Sequence, residues 1–311
     1  MRLRSAIGEH PQVIASAKHA IATRSTIIPI ATWHPLHPSY TSNVPVDVLA
    51  EVISNVHLSS DYNVLGLAAP EIAERALPGQ FVMVKAGDGL EPLLRRPFSV
   101  FERLEKSGAI VGLSLLSKRI GPSTTLLYDA KPGDRIRCLG PLGRPFAPVT
   151  PPDEAWLVAG GVGLAPFASL AQVLRARAIG VKLYYGARRG SELFYLDMFE
   201  KMGIELVLAT EDGSRGDHGR VTVPLERDLK SRAADASVML YACGPERMLE
   251  AVAKLSAQYG RPSQVSVERV MGCGVGGCYS CVIPIKTSGE KPHFVRSCLA
   301  GPVFRGSEIS W

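Results

Sequence analysis

Trp156-Leu157-Val158-Ala159-Gly160-Gly161-Val162-Gly163-Leu164-Ala165-Pro166 reads as an apolar strand, a glycine turn and the opening of a helix. Gly160, Gly161 and Gly163 let a ligand come close to the backbone, and a helix N-terminus favours an anion. Pro166 suits the first helical turn, where its missing N–H costs nothing. No GK[ST] follows, so the turn is not a P-loop. A full GxGxxG with an acidic residue about twenty positions on is also missing. A tight strand-to-helix turn without a ligand is the alternative reading of the same residues.

Beyond this turn, apolar strands over 155–159, 182–185, 205–209 and 238–242 alternate with helical stretches over 165–178, 193–201 and 247–259. The alternation predicts a parallel, doubly wound α/β sheet spanning 151–262. Such sheets bind ligands beyond the carboxyl ends of their strands. That draws in two further loops, Glu211-Asp212-Gly213-Ser214-Arg215-Gly216 and Cys243-Gly244-Pro245-Glu246. Arg188 and Arg189, at another strand end, either touch a ribose or phosphate or are solvated surface charge.

Upstream, over 43–150, the texture changes to short β-rich segments at 46–54, 64–69, 80–85, 109–116 and 134–139. Pro78-Gly79 and Lys131-Pro132-Gly133-Asp134 separate them as turns. This spacing predicts an antiparallel β-barrel. Within it, Arg95-Arg96-Pro97-Phe98-Ser99-Val100 places a guanidinium, an aromatic ring and a hydroxyl where they suit a flavin. Arg96 can pair with a pyrophosphate, Phe98 can pack beside the ring system, and Ser99 can hydrogen-bond a ring nitrogen. Gly121-Pro122-Ser123-Thr124-Thr125 has the small residues of an amide nest for phosphate. An ordinary barrel turn is the alternative for both.

Downstream, 263–311 is a Gly- and Cys-rich unit. Cys273-Gly-Val-Gly-Gly-Cys278-Tyr-Ser-Cys281, with Cys298 following after sixteen intervening residues, has the C-x4-C-x2-C…C spacing of plant-type [2Fe–2S] ligands. Two irons need four thiolates converging, and a tight loop supplies three of them. Gly272, Gly274, Gly276 and Gly277 let the backbone curl around an inorganic core, and their amides can point at the sulfurs. A structural zinc site, built from two CxxC-like knuckles, is the alternative. Cys138 lies outside the set and reads as a small buried hydrophobe.

Composition narrows the classes. The 311 residues are 46% apolar and 21% charged, as expected for a globular chain of two or three domains. No run reaches the roughly 18 apolar residues of a membrane span. The net charge of +6 is concentrated at the start, where residues 1–42 carry Arg2, Arg4, Lys18 and Arg24 against Glu9 alone. Aromatic and basic residues do not interleave, which argues against nucleic acid as a partner. Six cysteines are too few for a disulfide scaffold at this length. Residues 1–42 also hold four of the seven histidines and no sustained period. They are expected to be a flexible basic extension, a transit peptide or the product of a mis-called start.

Together Arg96-Pro97-Phe98-Ser99, Gly160-Gly161-Val162-Gly163-Leu164-Ala165-Pro166 and Cys243-Gly244-Pro245-Glu246 resemble the ferredoxin–NADP reductase superfamily. The order barrel, nucleotide sheet, cysteine loop, and the phrase Glu268-Arg269-Val270-Met271-Gly272-Cys273, narrow the likeness to the electron-transfer subunits of bacterial class 1B dihydroorotate dehydrogenases. The resemblance covers roughly residues 44–305. It implies FAD on the barrel, held by Arg96, Pro97, Phe98 and Ser99, with Gly121 and Thr124 near its pyrophosphate. It implies NAD(H) on the second domain, at Gly160, Gly161, Gly163, Pro166, Cys243, Gly244 and Pro245. It further implies a [2Fe–2S] cluster on Cys273, Cys278, Cys281 and Cys298.

For Cys243 a packing role is the alternative. The family's Gly-Thr phosphate turn is here Gly121-Pro122-Ser123-Thr124. The implied activity passes electrons between NAD(H), FAD and the cluster. The implied partner is an FMN-containing dihydroorotate dehydrogenase catalytic subunit, in a cytoplasmic heterotetramer serving pyrimidine biosynthesis. Two rivals share the motifs: the reductase subunit of a sulfide-, hydrogenase- or ferredoxin-linked complex, and a non-enzymatic flavin and cluster redox sensor.

Overall fold

The computed structural model describes residues 44–311, apart from 88, 148–153, 234–235, 288 and 290. The basic extension over 1–42 and its four histidines lie outside the described residues.

The first sheet contains β1 (Val46–His57), β2 (Tyr62–Ala68), β3 (Phe81–Lys85), β4 (Arg96–Ser99), β5 (Glu102–Lys106), β6 (Ala109–Lys118) and β7 (Arg135–Leu142). Its order is β4-β3-β7-β1-β2-β6-β5, with every pairing antiparallel. The expected barrel is therefore a curled sheet whose two edge strands, β4 and β5, do not pair with each other. Alternate residues of β3 face opposite ways, as the pleat requires. Val82 and Val84 join the core of the curl, with Leu65, Leu67 and Leu115, while Phe81 and Met83 face the other side.

After the short α1 (Pro70–Ala73), Gly121 to Thr125, expected as a nest, begins a second helix, α2 (Pro122–Asp129). Thr124 Oγ1 accepts the backbone N–H groups of Ile120 at 2.8 Å and Gly121 at 3.0 Å. The far end of α2 is held by Asn55, whose amide donates to the carbonyls of Leu127, Tyr128 and Ala130 at 2.8–3.1 Å. Helix ends leave carbonyls without partners, so one side chain satisfies three and fixes where the other end of α2 points.

The second sheet is built from β8 (Glu154–Gly160), β9 (Gly180–Ala187), β10 (Glu205–Thr210), β11 (Asp217–His218), β12 (Val238–Cys243) and β13 (Ser263–Ser266) in parallel, closed by antiparallel β16 (Val303–Arg305). Its order, β11-β10-β9-β8-β12-β13-β16, turns back between β8 and β12. That is the switch point at which doubly wound sheets bind ligands. Helices α3 (Ala165–Ala176), α4 (Leu196–Lys201), α5 (Thr222–Ser231) and α6 (Glu246–Gln258) connect the strands, and apolar cores cover both faces. Two of this sheet's strands, β13 and β16, come from the 263–311 stretch. The rest of that stretch holds the cysteine loop, a hairpin of β14 (Val282–Ile285) and β15 (His293–Arg296), and the short α7 (Ser297–Ala300).

The two large sheets meet through rings. Phe146 packs on Phe167 and Tyr241, Phe101 on Tyr195, and Tyr62 on Phe194, with centroids 4.8–5.8 Å apart. Among the described residues no helix is long and apolar enough to cross a membrane.

Candidate functional site

A cavity of about 550 Å³ opens at the switch point of the second sheet. Gly160 and Gly161 form its floor beside Pro245 and Met248, and Arg188, Glu211 and Arg220 stand farther along at other strand ends. Of the glycine-turn residues expected here, Gly160 and Gly161 line the cavity, while Gly163, Pro166, Cys243 and Gly244 are buried behind it. The glycines therefore divide by physical role. Gly161 has φ +54°, and a β-carbon on it would meet nothing within 4 Å, so its bare face is turned to open space. At Gly163 a β-carbon would fall well inside 3.0 Å of the Cys243 carbonyl. That glycine lets the turn after β8 lie on the end of β12. Burial pushes the Cys243 thiol pKa up, which keeps it neutral.

Several cavity residues went unrecognised in the sequence. Tyr62 and Lys118 reach in from the first sheet, and Met248 and Glu268 from the second half of the chain. The Tyr62 hydroxyl donates to Glu192 at 3.1 Å across the sheet-to-sheet boundary. Burial, and then the Glu192 carboxylate, raise the Tyr62 pKa. Burial also raises the Glu268 carboxyl pKa. Nothing local in the sequence marks these residues, because they are brought together only by the packing of two separate sheets.

Arg96, Pro97, Phe98 and Ser99 form the edge strand β4. Arg96 is exposed and donates to the carbonyls of Leu94 and Arg95 at 3.3 and 3.1 Å. Arg95 turns back to Asp47 in a two-pronged ion pair at 2.6 and 3.0 Å. Phe98 packs against the core inside the curl. Pro97 stands opposite Met83, and Ser99 opposite Phe81, so Pro97 and Ser99 share the outer face with those two residues. Gly121 has room around it: a β-carbon there would meet nothing within 4 Å.

The cysteine loop lies on that same outer face. Phe81, Met83, Leu142, Met271, Cys281 and Cys298 form one buried cluster. A β-carbon on Gly274 would collide with Met83, and its φ of +73° favours glycine independently. Met83 is thus the shared neighbour of Pro97 on β4 and Gly274 in the cysteine loop. Neighbouring strands lie about 4.8 Å apart, so the flavin-type motif and the cysteine loop are separated by one strand.

The four thiols interact chiefly as two pairs, Cys278 with Cys273 and Cys298 with Cys281, and Cys298 also feels Cys273 more weakly. Cys281 and Cys298 are buried and Cys278 is exposed. The Ser280 hydroxyl, 3.1 Å from Cys278 Sγ, and then Cys273 lower the Cys278 pKa to about 6. Burial and the Cys281 thiol push Cys298 up to about 12. The Gly277 N–H donates to Cys273 Sγ at 3.2 Å.

A tetrahedral zinc needs four donors at one point, whereas a two-iron centre takes them two by two. The donor set fits the two-iron centre. The segment 268–273 joins the sites, since Glu268 lines the nucleotide cavity and Cys273 opens the loop. Between them Arg269 pairs with Glu246 at 2.7 and 3.0 Å.

Comparison with known proteins agrees with this geometry. The family model for the iron-sulfur cluster binding domain of dihydroorotate dehydrogenase B matches residues 268–310, and the one for the oxidoreductase NAD-binding domain matches 157–254. The dihydroorotate dehydrogenase B (NAD(+)) electron transfer subunit of Desulforamulus reducens is 39% identical over 78% of this chain and 90% of that protein. Its counterpart in Geobacillus thermodenitrificans is 38% identical over 79% and 91%. Among solved structures, an NADH-dependent reduced ferredoxin-NADP oxidoreductase superposes with a TM-score of 0.73 at 29% identity, over 85% of this chain and 90% of that one. A ferredoxin NADP+ reductase from Neisseria gonorrhoeae with bound FAD and NADP shares the fold, with a TM-score of 0.56 at 17% identity over 69% and 92%. The chain belongs to the family of dihydroorotate dehydrogenase B (NAD(+)) electron transfer subunits.

Proposed function

We propose that this chain is the electron-transfer subunit of a cytoplasmic, NAD-linked dihydroorotate dehydrogenase, exchanging electrons with an FMN-containing catalytic subunit in a heterotetramer. The observation that carries this reading is Met83, which packs beneath the cysteine loop and pairs with the flavin-type strand. Bound FAD would supply two-electron exchange with NAD(H), and a bound [2Fe–2S] cluster would supply one-electron exchange toward the partner subunit.

The chain's own residues hold and orient. Gly160, Gly161 and Pro245 receive the nucleotide at the cavity floor. Gly163, Pro166, Cys243 and Gly244 shape that floor from behind. Arg96, Pro97, Phe98 and Ser99 hold the flavin along β4. Gly121 and Thr124 present the first turn of α2 to its pyrophosphate. Cys273, Cys278, Cys281 and Cys298 hold the cluster. In functional terms residues 43–150 carry FAD, 151–262 carry NAD(H) and 263–311 carry the cluster.

Two experiments test this reading. Rapid mixing of the purified holoprotein with NADH should bleach the flavin band, and addition of the catalytic subunit and dihydroorotate should then support NAD(+) reduction. No bleaching would favour the redox sensor. Bleaching with no dihydroorotate-linked turnover would favour the sulfide-, hydrogenase- or ferredoxin-linked rival.

A second measurement addresses the ligands. In the cluster-free chain, iodoacetamide should label Cys278 first. Because its pKa is lowered to about 6, the rate should climb through pH 6 and flatten above it, whereas an ordinary thiol climbs through about pH 8.5. Loading with iron and sulfide should abolish the labelling. Labelling that persists in the loaded protein would remove Cys278 from the ligand set.

A further inference from the structure

Arg296 stands apart from every residue named above as a ligand. Its guanidinium donates to the Gly276 carbonyl at 2.7 Å, and it lies 4.6 Å from the centroid of the Tyr279 ring. Its backbone pairs with Val282, the residue after Cys281. Cys298 follows two residues later in the chain. One side chain thus engages the stretch between Cys273 and Cys278 and the stretch between Cys278 and Cys281, from a strand that runs directly into the fourth cysteine.

The Gly276 carbonyl belongs to the same peptide unit as the Gly277 N–H, and that N–H points at Cys273 Sγ at 3.2 Å. The order is guanidinium, carbonyl, amide, sulfur. A cation hydrogen-bonded to a peptide oxygen polarises the peptide and strengthens the donor at its other end. Hydrogen bonds to the sulfurs are among the factors that set the potential of an iron–sulfur centre. The cluster gains one negative charge on reduction, so a stronger donor and a nearby fixed cation both favour the reduced form.

We propose that Arg296 is a positioning residue that closes the cysteine loop and raises the reduction potential of the cluster through the Gly276–Gly277 peptide. This rests on the reading that Cys273, Cys278, Cys281 and Cys298 hold the cluster.

The test compares the full chain, reconstituted anaerobically with iron and sulfide, with Arg296→Gln and Arg296→Lys. The readouts are a redox titration followed by electron paramagnetic resonance and the rate at which a chelator bleaches the visible bands. In Arg296→Gln the ratio of reduced to oxidised cluster, measured at the unmodified protein's midpoint, should fall about tenfold, a shift of about 59 mV for a one-electron couple. Arg296→Lys keeps the charge but loses the planar fork. Its midpoint should stay above that of Arg296→Gln, and both variants should lose cluster to chelator faster than the unmodified chain.

An unshifted midpoint in Arg296→Gln overturns the proposal. So does a Lys variant that falls as far as Gln, or chelator resistance unchanged in both. If Arg296→Gln holds no cluster, Tyr279→Asn replaces it. That change removes the ring beside the guanidinium and leaves every thiol in place, and Asn tolerates the φ of 59° at this position. The ring holds the guanidinium against the Gly276 carbonyl, so a lowered midpoint is expected there, and an unchanged one overturns the proposal. Absence of iron and acid-labile sulfide from the unmodified protein would instead sink the cluster reading itself, which separates the two failures.

Discussion

Replacing Cys281 by Ser is expected to abolish electron delivery to the catalytic subunit while reduction of FAD by NADH stays within a few-fold of the unmodified protein. Cys281 is 1% exposed and sits in the apolar cluster beneath the loop, with Met83 and Met271. Its carbonyl is bonded by the Ser297 N–H at 2.9 Å, which ties it to the start of α7 and so to Cys298. A serine hydroxyl is not a thiolate, and softness is what suits cysteine to iron–sulfur centres. Even partners one step removed from a metal are worth about 10–100-fold, so dihydroorotate-linked turnover should fall by more than about 100-fold, with iron and sulfide lost in parallel. The nucleotide cavity and β4 do not include Cys281, so the flavin should still bleach on mixing with NADH. Retention of full turnover with a normal iron content would remove Cys281 from the ligand set.

The second large effect is expected at Gly163→Ala. The new β-carbon would collide with the backbone at Cys243 and Gly244. Backbone cannot swing aside as a side chain can, so the ends of β8 and β12 must part. Overpacking of this kind costs about 1–3 kcal/mol, which lowers Tm by a few degrees. The KM for NADH should rise about tenfold or more, because both strand ends frame the cavity. Gly161→Ala is the control. Its β-carbon enters open space, and its positive φ costs about 1–2 kcal/mol. It should therefore cost less stability than Gly163→Ala while still weakening nucleotide binding. Thermal unfolding and KM measured on both chains separate the two roles; equal losses on both readouts would show that the two glycines are not distinct.

Two positions apart in the sequence, these two glycines are indistinguishable there, and that marks the limit of what the sequence discloses. The parallel sheet was legible because its strands are apolar runs joined by helices of the right period. The cysteine loop was legible because thiolate spacing is a chemical constraint carried by local residues. Strand β5 was missed because Glu102–Lys106 reads as Glu-Arg-Leu-Glu-Lys, polar enough for a loop; only pairing with β6 makes it a strand. Strands β13 and β16, four and three residues long, are too short to show a period. The helix expected over 193–201 starts only at Leu196, after Tyr195 takes a left-handed φ of 60°. Met83 and Arg296 carry no local signature. Met83 is one apolar residue in a strand, and Arg296 acquires its role only when the hairpin brings it beside Gly276.

The 263–311 stretch divides its allegiance. It lends β13 and β16 to the second sheet, and Ile283, Phe304 and Ile309 to that sheet's core. Its cysteine loop is seated instead on β3 and β7 of the first sheet, and Arg144, just past β7, donates its N–H to Gly301 at 2.6 Å. The metal-carrying segment is therefore a tie-beam spanning both halves of the molecule rather than a detachable cassette. Grafting it onto another reductase, or exchanging it for a differently spaced ferredoxin loop, would leave the host sheet without its last strands and the curled sheet with bare apolar surface around Phe81 and Met83.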